Sequence, residues 1–409
     1  MTAGGKRRPW RSDRLSKLGS SIFAEVGQWK DEAIAGGIDV IDLGIGSPDR
    51  PPSEHVRRIL SEAALRDDSY SYPASKGSAA FRAQAAAWMK HRFGVDVDPE
   101  QEIVTLMGSQ DGLAHLATAL CNAGDRAIVP DPGYPIYAAS LAVAGVEPIF
   151  VPLKRERGYL PDLDALPESA WEEAVFILLS FPGNPVPALA NADFFRQLID
   201  KARRFGVLIV HDLAYSELGF DGLRPPSILE LEGAKETAVE FHSLSKSFNM
   251  AGCRIGFLTG NAEAVGALRE LKGNIDYGVF NAVQEAGIAA LEEGMNDPNY
   301  ESVAPLYQRR RDCLVEALRQ EGWNVPSPPA TMFLWAPVPQ PGEATGERWS
   351  SRRISREMLL ETGVVVIPGD AFGSEGEGYV RIALVESEER LQEAARRIGE
   401  WLRKHGLKG

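Results

Sequence analysis

Between about residues 55 and 300, short apolar runs alternate with longer amphipathic stretches, and this alternation restricts the fold more than any other feature. The runs are Ile103–Leu106, 127–129, 148–151, 175–179, 207–210 and 238–241. A strand buried on both faces reads as an unbroken apolar run, and helices between successive strands make the sheet parallel. The pattern therefore predicts an α/β fold, with a three-layer α/β/α large domain built on a mostly parallel sheet. In open sheets of this kind ligands bind beyond the carboxyl ends of the strands. The residues just after each run are thus the first place to look for chemistry.

Outside that region the pattern changes. Residues 20–35 carry helical apolar spacing at Ile22, Phe23, Val26 and Trp29, and 38–43 read as a short strand entering Gly44-Ile45-Gly46-Ser47-Pro48-Asp49. That loop lacks the third glycine of a dinucleotide fingerprint and puts Pro48 where a helix would begin. After residue 301 come a helix near 305–321, scattered strands at 332–335, 364–367 and 379–384, and a closing helix over 387–405. The expected division is a disordered leader over 1–19, an N-terminal helix and small-domain segment over 20–54, the large domain over 55–300, and a smaller α+β domain over 301–409.

A net charge of -13 argues against nucleic-acid or anionic-membrane partners. The basic cluster Lys6-Arg7-Arg8 precedes no apolar run, and no stretch reaches the ~18 apolar residues of a membrane span. The three cysteines form no C-x-x-C pair or disulfide framework, which predicts a cytoplasmic protein; six scattered histidines predict no metal.

Four strand ends carry reactive or polar groups. Ser180-Phe181-Pro182-Gly183-Asn184-Pro185 follows one run, His211-Asp212-Leu213-Ala214-Tyr215 the next, and His242-Ser243-Leu244-Ser245-Lys246 the next. Met107-Gly108-Ser109-Gln110 opens a helix after the first run. An amide, a carboxylate, a phenol, an amine and free N–H groups at one sheet edge are the parts a pyridoxal phosphate site requires. Lys246 lies among serines with Arg254 eight positions on, a setting for an amine that forms a Schiff base beside a bound phosphate.

These motifs, together with Ile41-Asp42-Leu43-Gly44-Ile45-Gly46 and Asp131-Pro132-Gly133-Tyr134-Pro135, resemble the fold type I pyridoxal-phosphate enzymes of the class I/II aminotransferase family. The resemblance runs from about Ser20 to His405 and is greatest to the LL-diaminopimelate aminotransferase-like group. It implies an enzyme that exchanges an amino group between an L-amino acid and a 2-oxo acid by a ping-pong mechanism.

By the same resemblance Lys246 would carry the cofactor and shuttle a proton, and Asp212 would face the pyridine nitrogen. A charge pair at about 4 Å is worth ~4 kcal/mol at an effective dielectric of 20, or roughly three pKa units in favour of a protonated ring. Asn184 and Tyr215 would bond the cofactor's phenolate oxygen, and Tyr134 would stack on the ring. Ser109, Gln110, Ser243, Ser245 and Arg254 would hold the phosphate. Arg381 would clamp the substrate α-carboxylate, which Asn184 and the backbone of Gly46 would also approach. Tyr72, with Tyr70 as the competing candidate, would reach the phosphate of a neighbouring subunit, which implies a homodimer with shared sites.

Two departures stand out. Val186-Pro187 follows Asn184-Pro185 where the family has Thr-Gly, and Tyr277 stands where the similar group has serine, which puts diaminopimelate itself in doubt. The alternative chemistry is β-elimination, decarboxylation or oxidation at the same cofactor.

Overall fold

The computed structural model describes residues 10–18, 22–342 and 348–409. The basic cluster at 6–8 lies outside the described residues. Strand β1 is Ile41–Asp42; seven strands then form the central sheet: β2 (Ile103–Leu106), β3 (Arg126–Asp131), β4 (Glu147–Pro152), β5 (Ala174–Leu179), β6 (Leu208–Asp212), β7 (Ala238–Ser243) and β8 (Gly256–Gly260). Their order is β2-β8-β7-β6-β5-β3-β4. The β3–β4, β3–β5, β5–β6 and β6–β7 pairs are parallel, whereas β8 runs antiparallel to both β2 and β7.

All six apolar runs fall on strands of this sheet, with Val207 alone lying just before its strand. Apolar side chains on one face, including Ile128, Ile177 and Ile209, join a core with Phe81, Trp88 and Phe195. Those on the other, including Val129, Leu178 and Val210, pack with Leu113, Leu116 and Val265. Each is nearly inaccessible, so the sheet is a middle layer between helices.

The remaining strands contribute mostly to a second core around Trp323, Phe333 and Leu391, while Trp335, Val365 and Ile367 join the first. Here β9 (Phe333–Pro337), β12 (Ile367–Pro368) and β13 (Tyr379–Ala383) form an antiparallel sheet in the order β12-β13-β9, while β11 (Val364–Val365) pairs with β1. Two short strands, β10 (Gln340–Pro341) and β14 (Leu407–Lys408), also pair. The apolar 364–367 segment, expected as one strand, is thus divided between two sheets. The expected 38–43 strand shortens to β1, because only Ile41 and Asp42 pair with Val364 and Val365.

The N-terminal helix runs over Ile22–Ala35, and Asp13–Leu18, within the stretch expected to be a leader, forms a 3-10 turn. Arg14 Nη1 in that turn donates to the Val143 carbonyl at 3.3 Å. Helix ends follow sequence signals. Asn191 accepts from Phe194 N–H at 2.9 Å to start the Ala192–Phe205 helix, and Ser387 caps the Glu388–His405 helix.

Candidate active site

The carboxyl ends of β2, β3, β5, β6 and β7 open on one cavity of about 770 Å³. The antiparallel β8 contributes from its amino end, so Arg254, just before it, reaches the same rim. Every candidate site residue from the sequence except Tyr72 lines this cavity: Gly46, Ser109, Gln110, Tyr134, Asn184, Asp212, Tyr215, Ser243, Ser245, Lys246, Arg254 and Arg381.

Lys246 lies in the short Leu244–Ser247 helix that follows β7, and its Nζ donates to the Gly46 carbonyl at 2.6 Å. Burial, reinforced by the like charges of Arg381 and Arg254, pushes its amine down to about 8. A substantial neutral fraction is therefore present near physiological pH. Asp212 ends β6, and burial pushes its carboxyl up. Its Oδ2 accepts from the Tyr137 hydroxyl at 2.7 Å and its Oδ1 from the Ala214 N–H at 3.3 Å. Burial also pushes the Tyr215 phenol up, so Tyr215 enters the site as a protonated donor.

Arg381, in the middle of β13, is 3% exposed, and burial pushes its guanidinium down to about 10. Nη1 donates to Asn184 Oδ1 at 2.7 Å and Nη2 to the Gly44 carbonyl at 2.5 Å. The guanidinium carbon lies 4.3 Å from the Phe333 ring centroid and 4.8 Å from that of Phe372. Its buried Nε has no hydrogen-bond partner. A buried cation bonded to neutral acceptors, with a donor to spare, suits an incoming carboxylate. Gly46 faces the same point: a Cβ there would lie 2.3 Å from the Phe333 ring, so only glycine fits.

At the other end of the cavity the Ser109–Leu120 helix begins after Gly108 at φ 74°. A Cβ on Gly108 would meet Arg254 Nη2 at 2.7 Å, so the missing side chain lets the guanidinium close over the helix terminus. First-turn N–H groups, Ser243 and Ser245 hydroxyls and Arg254 thus converge in an anion cradle. Tyr134 donates to Gln110 Oε1 at 3.0 Å, which places its ring beside the cradle.

Comparison with known proteins gives the same direction. The chain matches aminotransferase class I and II over residues 38–398. The chain belongs to that family. It is 43% identical to the LL-diaminopimelate aminotransferase of Halothermothrix orenii, over 95% of this chain and 97% of the relative. The solved structure of substrate-bound BacF from Bacillus subtilis superposes with a TM-score of 0.89 at 33% identity, covering 98% of this chain and 99% of that one. A probable N-succinyldiaminopimelate aminotransferase from Thermus thermophilus gives a TM-score of 0.84 at 38% identity, covering 93% and 100%.

The chain is therefore an aminotransferase, of a family that depends on pyridoxal phosphate. The donor set fits that group: a phosphate cradle, an amine of lowered basicity, a buried carboxylate and two donors for a phenolate oxygen share one cavity.

Tyr72 is not in the cavity. It is 87% exposed, with its ring centroid 5.4 Å from that of Tyr277. The Tyr70 hydroxyl donates to the Ala64 carbonyl at 2.7 Å, and its ring lies 5.5 Å from Phe280. Of the two departures, Val186 is a core residue whose carbonyl accepts from Gly183 N–H at 3.2 Å, whereas Tyr277 is 60% exposed at φ 57°.

Sequence reasoning missed three features of this aminotransferase. Tyr137 holds Asp212; the signal was its place one helical turn after Tyr134. Asp131 joins the two cores, accepting from Ser374 Oγ at 2.8 Å and Glu375 N–H at 3.0 Å. Beneath Asp212, His211 Nδ1 and His242 Nε2 lie 2.8 and 2.7 Å from the two oxygens of buried Glu240. Burial raises that carboxyl, but the two histidine bonds outweigh it and hold it at about 2.

Proposed function

We propose that the enzyme is a cytoplasmic homodimer that transfers the amino group of an L-amino acid to a 2-oxo acid, binding both in turn at the cavity around Lys246. The observation that carries the reading is the buried, carboxylate-free guanidinium of Arg381 in the same cavity as Lys246, whose amine is lowered to about 8. Pyridoxal phosphate, when bound, supplies an aldehyde to react with amines and a conjugated ring that takes up the electron pair released at the substrate Cα.

The chain's own residues do the rest. Ser109, Gln110, Ser243, Ser245 and Arg254 would hold the phosphate, and Asp212, steadied by the Tyr137 hydroxyl, would hold a proton on the ring nitrogen. Asn184 and Tyr215 would donate to the ring oxygen, and Tyr134 would pack against the ring. Arg381 would grip the α-carboxylate with its fork and so fix the orientation of the substrate Cα, which would favour proton removal over decarboxylation. Nζ of Lys246 would take the Cα proton and deliver it to the carbon on the far side of the substrate nitrogen.

Support for the dimer comes from the exposed aromatic patch of Tyr70, Tyr72, Tyr277 and Phe280, which suits burial against a second copy whose phosphate Tyr72 would reach. No helix among the described residues is long and apolar enough to cross a membrane.

The test is to mix the holoenzyme with a panel of amino acids, LL-diaminopimelate included, and assay each for 2-oxo acid before any acceptor is added. Stoichiometric oxo acid that becomes catalytic on adding an acceptor is the expected result. Release of carbon dioxide, or catalytic ammonia without acceptor, would contradict it.

A further inference from the structure

Part of the lining of the same cavity is an apolar wall: Leu18, Ile22, Phe23, Ile45, Ile136 and Ala139. The Phe23 ring centroid lies 5.9 Å from the guanidinium carbon of Arg381, so the wall begins beside the carboxylate clamp. Phe23 is itself fixed edge-on against Phe372, with centroids 5.9 Å apart. Ile45, next to the glycine whose carbonyl holds Lys246, is 59% exposed and presents apolar surface to the cavity.

The charges around this region are accounted for. Among the described residues lining the cavity the cations are Lys246, Arg254, Arg352 and Arg381. The first, second and fourth face the cofactor and the α-carboxylate. Arg352 alone is left, and the protein already supplies its counter-ions: its Nε lies 2.5 Å from Asp370 Oδ2 and its Nη1 3.2 Å from Glu25 Oε2. Glu25 lies on the same helix as Phe23. Arg352 therefore ties the wall helix to the 3-10 turn Gly369–Phe372, which carries Asp370 and Phe372.

We propose that this region is the subsite for the substrate side chain, that it selects a large neutral apolar or aromatic side chain, and that Arg352 is a strut for the Phe23 helix rather than a receptor for a second carboxylate. The proposal rests on the reading of Arg381 as the α-carboxylate clamp. Burial of an apolar side chain against Ile22, Phe23 and Ile45 is favourable in proportion to the area covered. A second carboxylate would lose its water there and find, among the described residues of this chain, no cation free of a protein carboxylate. Phe23 is then a specificity-determining residue.

The holoenzyme is titrated by calorimetry with 3-phenylpropanoate and with glutarate, which share a carboxylate for Arg381 but have no amine to react. The expected result is a preference of roughly tenfold or more for 3-phenylpropanoate, the scale on which apolar pockets discriminate, and a marked loss of that preference in Phe23→Ala. Arg352→Gln is expected to weaken glutarate no more than 3-phenylpropanoate. Glutarate binding as tightly as 3-phenylpropanoate, no binding of 3-phenylpropanoate, or a selective loss of glutarate in Arg352→Gln would overturn the proposal. Because the readout is binding, it separates from the amino-transfer reading: the expected ranking with no oxo acid formed from any donor would overturn only the latter.

Discussion

Arg381 and Arg310 are equally buried, each 3% exposed, and they keep opposite company. Arg310, in the Ala304–Gln320 helix of the C-terminal core, is gripped by both oxygens of Asp49, at 2.8 and 2.6 Å, and also donates to the Leu384 carbonyl. Arg381, in the cavity, has only an amide oxygen and a carbonyl, with its Nε unpartnered. The lysines repeat the contrast. Lys272 is fully buried between Asp111 and Asp276, while Lys246 bonds a carbonyl alone. Where a buried cation is a structural strut the chain provides the counter-ion, whereas Arg381 and Lys246 in the cavity bond neutral acceptors only, as the proposed carboxylate clamp and reactive amine require. Burial of an unpaired cation costs stability, so such groups persist where a function requires them.

The largest effect expected within this contrast belongs to Lys246. Lys246→Ala should reduce amino transfer by at least about 10⁴-fold, the upper range for a lost proton-transfer group, while spectroscopic titration still shows noncovalent cofactor binding. Undiminished turnover would remove Lys246 from its role. Next, Lys272→Met should destabilise the fold by about 3 kcal/mol because it strands two carboxylates. Lys246→Met should leave stability level or raise it. Urea unfolding of the two cofactor-free proteins makes the comparison, and equal losses would break it.

The basicity of Lys246 sets a pH dependence. With the amine at about 8 in the fold and at 10.5 ordinarily, the unfolded chain holds the extra proton between those values. Stability of the cofactor-free enzyme should thus gain a rising component from about pH 8 to 10.5 that Lys246→Met lacks. Below about 8 both states are protonated and the cost of the buried charge is fully present. Capture of pyridoxal phosphate should accelerate with pH up to about 8 and then level off; a flat rate from pH 6 to 9 would contradict the lowered amine. The smallest effect concerns Asp212. Tyr137→Phe should weaken cofactor binding by about 1 kcal/mol, the worth of one hydrogen bond to a carboxylate less its replacement by water, and fluorescence titration would detect it.

Much of the large domain was legible because buried parallel strands are written as continuous apolar runs, and each run fixes what stands at its end. Lys246, Asp212 and Asn184 were readable for that reason. The strand β8 was not: Gly256-Phe257-Leu258-Thr259-Gly260 is bounded by glycines and is preceded only by the four-residue Leu244–Ser247 helix and a 3-10 turn, so its antiparallel direction and the delivery of Arg254 to the rim depend on tertiary pairing. Residues 364–367 look like one strand, yet β1 takes its first half and β13 its second. Tyr137 and Arg352 escaped notice because their partners, Asp212, Glu25 and Asp370, are set by packing between elements far apart in the chain.

The central claim is that the buried cations of the cavity lack the counter-ions that buried cations elsewhere in the fold are given, and the two buried arginines test it most directly. Urea unfolding of Arg381→Gln and Arg310→Gln, each with and without saturating 3-phenylpropanoate, should show Arg310→Gln less stable by about 2 kcal/mol, for the loss of charge-assisted hydrogen bonds, yet still stabilised by the ligand. Arg381→Gln should be as stable as the parent without ligand and gain nothing from it. Equal destabilisation of both variants, or undiminished ligand stabilisation in Arg381→Gln, would contradict the account.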